Sequence, residues 1–161
     1  FQGIRKPAFH AYKFLNTLGD LAIKRTNDYI VSKNKKTGSI SLIAWNYPAD
    51  VNTAIPNFQS LDVLKKFETS GSIRLVKLDI SNLEPGQTFI CELLEYNHGY
   101  SLPTWEQMGQ PSSPNRKQMI ILNNSSDDTL KTTIKADQKG HISWSIVLKL
   151  WSGISVKQNN I

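Results

Sequence analysis

Residues 73–96 read IRLVKLDISNLEPGQTFICELLEY and contain two strand-like segments separated by a turn. In the first segment, residues 73–80, alternation puts one half of the side chains on each face, and the even-numbered face holds Arg74, Val76, Leu78 and Ile80. Residues 88–96 form the second strand, and Pro85-Gly86 lie at the centre of the turn between them. This pattern is typical of a domain built from short antiparallel strands.

Further strands are predicted on both sides of this stretch. Residues 29–31 and 39–47 are joined by a basic turn that ends in Gly38, which is a hairpin signature. Residues 130–136 and 142–150 are also strand-like, while 115–122 can hold a short helix and 61–67 either a short helix or a continued strand. Six to eight short strands with one clear helix predict an all-β fold, an antiparallel β-sandwich over residues 21–161.

The clear helix is predicted at residues 7–18. Pro7 suits the first helical position, and Gly19 follows the last apolar residue as a C′ stop. Apolar side chains cover well over half of the helix circumference, so the helix needs partners on more than one side. We therefore expect that a natural neighbour is missing from this chain and that the helix belongs to a larger helical layer.

Composition limits the function classes. The 161 residues carry a net charge of +6, but the basic residues are scattered in pairs, which is typical of solvated loops rather than of a nucleic-acid site. No apolar run approaches the ~18 residues that a membrane span requires. The single cysteine, Cys91, lies in an apolar strand and is expected to be buried and inert. We expect neither a nucleic-acid nor a membrane partner.

Catalytic and metal-binding patterns are not evident. Glu92 and Glu95 have opposite parity in a strand and should point to opposite faces, and Asp127-Asp128 are expected in a solvated turn. None of the three histidines has a second ligand at metal spacing, and no nucleotide or zinc motif is found. The sequence predicts no catalytic residue, no metal site and no cofactor.

The most unusual segment is residues 96–114, YNHGYSLPTWEQMGQPSSP, which is predicted to be a long aromatic loop. Its ligand or docking candidates are Tyr96, His98, Tyr100, Trp105 and Met108. Trp105 either anchors the loop on the sandwich or a partner domain, or it touches a ligand. Trp45 and Trp144 lie inside strands and are expected to pack in the core.

The order of several motifs resembles one enzyme family. The motifs are IRKPAFHAYKFLNTLG at 4–19, SISLIAWNY at 39–47, LEPG at 83–86, HGY at 98–100, WEQMGQPSSP at 105–114 and Gln118. Together they are similar to the C-terminal part of glycoside hydrolase family 39, the β-xylosidase and α-L-iduronidase family. The resemblance covers roughly residues 2–122, while 51–67 and 141–161 have no counterpart in it.

The resemblance implies a domain organisation and a function. Residues 1–20 would be the last helix of a missing catalytic (β/α)8 barrel, and 21–161 a non-catalytic accessory β-sandwich that packs on it. The two catalytic Glu residues of the family lie upstream on barrel strands, so none is carried over to this chain. The parent would be a retaining β-xylosidase-type enzyme. The expected partner is its barrel, with a neighbouring subunit or an oligosaccharide as alternatives. A carbohydrate-binding module that uses Trp105 and Tyr100 is the competing interpretation.

Overall fold

The computed structural model describes residues 3–47 and 72–159, so the element predicted at 61–67 lies outside the described residues. The elements in chain order are α1 (Pro7–Leu15), β1 (Leu21–Arg25), β2 (Tyr29–Lys33), β3 (Ile40–Asn46), β4 (Arg74–Ile80), β5 (Thr88–Leu94), α2 (Leu102–Gln107), α3 (Arg116–Asp127), β6 (Leu130–Lys135), β7 (Ile142–Leu148) and β8 (Ser152–Gln158). The predominance of short strands confirms the predicted β-rich fold.

The strands of residues 3–47 and 72–159 form two antiparallel sheets. Among these strands, six form the larger sheet in the order β1-β2-β3-β8-β5-β6, and the smaller sheet pairs β4 with β7. The predicted hairpin is β2–β3, in which Lys33 pairs with Ile40 and the chain turns through Gly38 at φ 75°. The turn with Pro85-Gly86 is not a hairpin, because it carries the chain from β4 in the small sheet to β5 in the large one.

The hydrophobic core lies between the two sheets. The large sheet contributes alternate residues of its central strands, and the small sheet covers them with β7. The buried members are Leu42, Ala44, Phe89, Cys91, Leu93, Ala136, Ile142, Leu148, Ile154 and Val156. Trp144 packs against this cluster as predicted. Trp45 does not, because it has opposite parity to Leu42 and Ala44 on β3 and therefore lies on the outer face of the large sheet.

Helix α1 covers part of that outer face. It begins at Pro7 as predicted but ends at Leu15, with Asn16 as the C-cap. The predicted role of Gly19 as a helix stop is therefore wrong. A Cβ on Gly19 would lie 2.4 Å from the carbonyl carbon of Lys33, and its N–H donates to Ser32 Oγ at 2.8 Å. Glycine is needed there because the chain passes directly over β2.

The chain has more helix than predicted. Helix α3 extends to Asp127, past the predicted limit of residue 122, and begins with a capping box between Asn115 and Gln118. Its polar second half keeps a helical conformation because Leu122 and Ser126 are buried against the rest of the domain. Asp127 consequently ends a helix rather than lying in a turn. Helix α2 interrupts residues 96–114, so the predicted single long loop is also corrected.

Candidate docking surface

The aromatic segment 96–114 is folded back on itself. Glu95 and His98 exchange both backbone hydrogen bonds, at 2.9 and 3.0 Å, which closes a tight turn at the end of β5. Farther along, the Trp105 Nε1–H donates to the carbonyl of Pro111 at 3.1 Å. The indole of Trp105 therefore anchors the segment to itself, and Met108 forms the C-cap of α2.

The predicted site residues do not surround one cavity. The Tyr96 and Tyr100 rings approach each other to 6.1 Å but are inclined at 74°, and the Tyr96 hydroxyl donates to Glu106 Oε2 at 2.8 Å. Trp105 is directed to Pro111 instead. His98, half-buried, has an Nδ1 without a hydrogen-bond partner among the described residues. The structure thus brings the two tyrosine rings together, while Trp105 belongs to α2 and Met108 caps it.

A buried junction that the sequence analysis did not identify joins this segment to α1 and α3. His10 is only 2% exposed, and its Nε2 lies 2.7 Å from the carbonyl oxygen of Ser126. Because a carbonyl only accepts hydrogen bonds, Nε2 carries the proton. Gly99, at φ 81°, packs against it, and a Cβ there would lie 3.5 Å from His10 Nε2. The spacing of His10 and Phe14, one turn apart on α1, is the available sequence signal for this buried face.

Polar contacts fix α1 on the sandwich at several further points. Lys13 Nζ donates to Glu92 Oε1 on the outer face of β5 at 2.5 Å. Thr17 Oγ1 lies 3.0 Å from Ser155 Oγ on β8. Before the helix, Arg5 forms an ion pair with Asp127 at the end of α3. These contacts give α1 one defined position and rotation on the sheet.

Glu92 is the most constrained carboxylate of this contact. It also accepts a hydrogen bond from Thr129 Oγ1 at 2.6 Å. Burial raises the pKa of Glu92, but the hydrogen bonds from Lys13 and Thr129 and the charges of Lys13 and Lys131 outweigh it. The pKa of Glu92 is therefore lowered from its ordinary value. Glu95, the other carboxylate of the predicted pair, instead accepts from Lys149 at 3.2 Å.

The opposite face of α1 is apolar and exposed. Phe9 and Leu15 are each 45% exposed and Tyr12 is 70% exposed. His10 and Phe14 of the same helix are buried. The Arg5 guanidinium lies 4.6 Å from the centre of the Phe9 ring and covers one edge of this face. We call Phe9, Tyr12 and Leu15 the outer face of α1.

A groove of about 500 Å³ continues this surface between α1 and the large sheet. We call it the helix–sheet groove. Almost all of its lining is apolar, and the side chains that define its walls are Ala11, Leu15, Trp45, Tyr47, Leu94 and Trp151. Trp151 lies in the three-residue connection between β7 and β8 and has a positive φ of 59°.

A second cavity, of about 550 Å³, is open and is lined by five polar residues and one apolar residue. It lies where α2 meets α3 and is lined by Thr104, Ile121, Asn124, Ser125, Asp127 and Asp128. Within residues 3–47 and 72–159, no group of three or more His, Cys, Asp or Glu side chains is arranged to hold a metal ion. None of the helices in those ranges is long and apolar enough to cross a membrane.

Comparison with known proteins places these features in context. The family model for glycosyl hydrolases family 39 matches residues 1–143. A β-xylosidase of Geobacillus stearothermophilus is 29% identical over 145 residues, which is 90% of this chain and 25% of that protein.

Solved structures share the fold at low sequence identity. A family 39 enzyme from Xanthomonas axonopodis pv. citri aligns with a TM-score of 0.74 and 14% identity over 99% of this chain and 31% of its own. A monomeric β-xylosidase from Caulobacter crescentus CB15 aligns with a TM-score of 0.67 and 16% identity, over 99% of this chain and 32% of its own. A bacterial orthologue of human α-L-iduronidase aligns with a TM-score of 0.68 and 19% identity, over 98% of this chain and 28% of its own. This chain therefore spans about a quarter to a third of the length of these relatives.

Proposed function

This chain belongs to family 39 of the glycosyl hydrolases, and we propose that it is the non-catalytic accessory β-sandwich of a β-xylosidase-type enzyme. In this proposal the sandwich packs on the catalytic (β/α)8 barrel of the same parent chain. Residues 1–20 contribute the last helix of that barrel, and the sandwich begins after them.

The two-sided character of α1 is the observation that carries the proposal. One side buries His10 and Phe14 against the sandwich, while the other exposes Phe9, Tyr12 and Leu15. A helix that is apolar on both sides is stable in water only when a second layer covers it. The barrel is the partner that fits, because the relatives are three to four times longer than the part of them that this chain matches.

The polar contacts of α1 give the sandwich a specific role in that assembly. Lys13–Glu92 and His10–Ser126 hold the helix in one rotation, with the outer face turned away from the large sheet. A barrel that includes α1 is then oriented by the sandwich. The accessory domain therefore fixes and covers one side of the barrel rather than taking part in bond cleavage.

The carboxylates of the chain support a non-catalytic role. A retaining glycosidase needs two carboxyl groups facing one cleft, ~5–5.5 Å apart. Glu92 is bound by Lys13 and Thr129, and Glu95 is bound by Lys149. Asp127 is paired with Arg5. Each of these groups serves as an ion-pair partner that holds two elements together.

The geometry of the aromatic segment argues against a sugar-binding platform. A platform needs exposed rings that can lie parallel to a sugar, whereas the Tyr96 and Tyr100 rings are inclined at 74°. Titration of this chain with xylo-oligosaccharides should therefore leave its Trp fluorescence unchanged. A saturable change would instead favour the carbohydrate-binding module.

The decisive assay compares this chain with the full-length parent on an aryl β-xyloside. The proposal expects turnover by the parent and none by residues 1–161 alone. Turnover by the isolated chain would exclude an accessory role, and a parent that acts on no glycoside would exclude the proposed enzyme class.

A further inference from the structure

Ile120 and Ile121 of α3 are exposed to nearly the same extent but lie on different sides of the helix. Ile120 is 53% exposed and Ile121 is 50% exposed. Successive residues of an α-helix are turned by about 100°, so the two side chains point in different directions. Ile121 lines the open cavity beside α2. Ile120 instead lies on the same side as Asn123 and Asp127, because residues three or four positions apart are neighbours on a helix surface.

The segment that leads into α1 runs along this side of α3. The Arg5 backbone N–H donates to Ser126 Oγ at 3.2 Å, and the Arg5 guanidinium pairs with Asp127. Two residues earlier, a Cβ on Gly3 would lie 3.4 Å from Asn123 Oδ1, so Gly3 and Asn123 are within contact range. Read from residue 5 back to residue 3, the chain therefore follows α3 from its last turn toward its first.

Ile120 is the next residue along this path. It lies about one helical turn before Asn123, in the direction that the chain takes when followed back from Gly3. In the proposed parent a long polypeptide precedes residue 1, because the relatives are three to four times longer than the part of them that this chain matches. The exposed side chain of Ile120 thus lies where that polypeptide approaches α3.

Asn123 gives a second indication of a partner at the same place. Its Oδ1 is buried, and it has no hydrogen-bond partner among residues 3–47 and 72–159. A buried carbonyl oxygen without a donor is costly, and such groups are usually paired in a complete protein. This oxygen lies beside Gly3. A backbone N–H of the approaching polypeptide would supply the donor that the chain itself lacks.

Resting on the proposed function, we propose that the side of α3 formed by Ile120, Asn123 and Asp127 is a second docking surface for the parent. Its occupant is the segment that immediately precedes residue 1, which places an apolar side chain over Ile120 and a donor at Asn123. Helices α1 and α3 are already joined through the 2.7 Å contact between His10 Nε2 and the carbonyl of Ser126. Docking on both helices therefore fixes the orientation of the barrel more strictly than docking on α1 alone.

Cysteine labelling separates Ile120 from its matched neighbour Ile121. Ile120→Cys and Ile121→Cys are each treated with a maleimide in the 161-residue chain and in the full-length parent, with the unsubstituted proteins as background. Both positions should react rapidly in the isolated chain, since both side chains are exposed there. In the parent, position 120 should react at least about tenfold more slowly, because a covered thiol reacts only when the contact opens. Position 121 should react at an unchanged rate.

Tyr12→Cys, on the outer face of α1, is measured beside them and tests the proposed function separately. Protection of positions 12 and 120 in the parent, without protection of 121, supports both proposals. Protection of position 12 alone would keep the docking of α1 and overturn the contact at Ile120. Equal protection of 120 and 121, or slow labelling of 120 already in the isolated chain, would also overturn that contact. If none of the three positions is protected in the parent, both proposals fall.

Discussion

The two faces of the six-stranded sheet are built from different kinds of residue. The inner face presents large aliphatic and aromatic side chains such as Phe89, Leu93 and Ile154, and the small sheet covers them. The outer face has buried serines where α1 and the chain after it pass over, at positions 32, 41 and 155. These small residues let the helix approach closely, and polar contacts rather than bulk hold it there.

The difference indicates how each face is completed. The inner face is closed by the chain's own strands, and its side chains are as buried as those of any small domain. The outer face is only partly closed, since α1 leaves Phe9, Tyr12 and Leu15 exposed and borders an apolar groove. The inner face thus stabilises this domain, and the proposed further layer would complete the outer face.

The largest effect is expected on the inner face. Phe89 is 1% exposed, so Phe89→Ala should lower the free energy of unfolding by about 3–5 kcal/mol in urea denaturation. Ile90 is exposed on the other face of the same strand, so Ile90→Ala should lower the free energy of unfolding by at most about 1 kcal/mol. Equal losses would show that the two faces of β5 do not differ as described.

The next largest loss of stability is expected at the buried junction where Gly99 packs against His10. Gly99 and Gly109 have nearly the same φ, 81° and 80°, so alanine strains both backbones by about 1–2 kcal/mol. A Cβ on Gly99 would also lie 2.7 Å from Thr129 Cγ2, whereas Gly109 has open space. Gly99→Ala should therefore destabilise the chain by roughly 1–3 kcal/mol more than Gly109→Ala. If chemical denaturation gave the two variants equal losses in free energy of unfolding, the close packing of Gly99 at His10 would be contradicted.

The ion pair that holds α1 should make part of the stability depend on pH. The pKa of Glu92 is lowered in the folded chain, so its ionised form stabilises the fold above the ordinary value of 4.5. That contribution is lost as the pH falls through the lowered pKa. The stability difference between wild type and Glu92→Gln should therefore shrink on acidification.

Urea denaturation at neutral pH and at several values below 4.5 measures this loss. A double-mutant cycle with Lys13→Met separates the Lys13–Glu92 contact from the rest. A difference between wild type and Glu92→Gln that stays constant down to the lowest pH would contradict the assigned role of Glu92.

The smallest effect is expected at the most exposed residue of the outer face. Tyr12→Ser should change the free energy of unfolding of this chain by no more than about 0.5 kcal/mol, because its side chain is 70% exposed. Denaturant unfolding of the purified chain is sufficient. A loss comparable to that of Phe89→Ala would mean that the chain itself already completes this face.

The strands that build the inner face could be predicted from local sequence, at residues 73–80 and 88–96. Which face of each strand is covered was not predicted, and the structure places Val76, Leu78 and Ile80 of β4 against the core. Burial of Cys91 in β5 was predicted, and burial raises the pKa of its thiol to about 11. The expectation for Trp144 was confirmed for the same reason.

The outer face was harder to predict because its determinants are long-range. The burial of His10 depends on Ser126, which lies 116 positions away, and the helical state of 123–127 depends on tertiary packing rather than propensity. Gly19 was assigned a helix-capping role because a sequence does not reveal which backbone passes beneath it. Trp45 lies inside a strand, as a core residue would, but its parity is opposite to that of Leu42 and Ala44, so it lies on the outer face.

The accessibility of position 12 decides whether a further layer covers the outer face of α1. Tyr12→Cys is labelled with a maleimide in the 161-residue chain and in the full-length parent, and Cys91, buried in the core, remains unreactive in both. Lys35→Cys, in the exposed β2–β3 turn, controls for general reactivity. Position 12 should be labelled rapidly in the isolated chain and strongly protected in the parent, and position 35 should be labelled equally in both. Equal labelling of position 12 in the two proteins would contradict it.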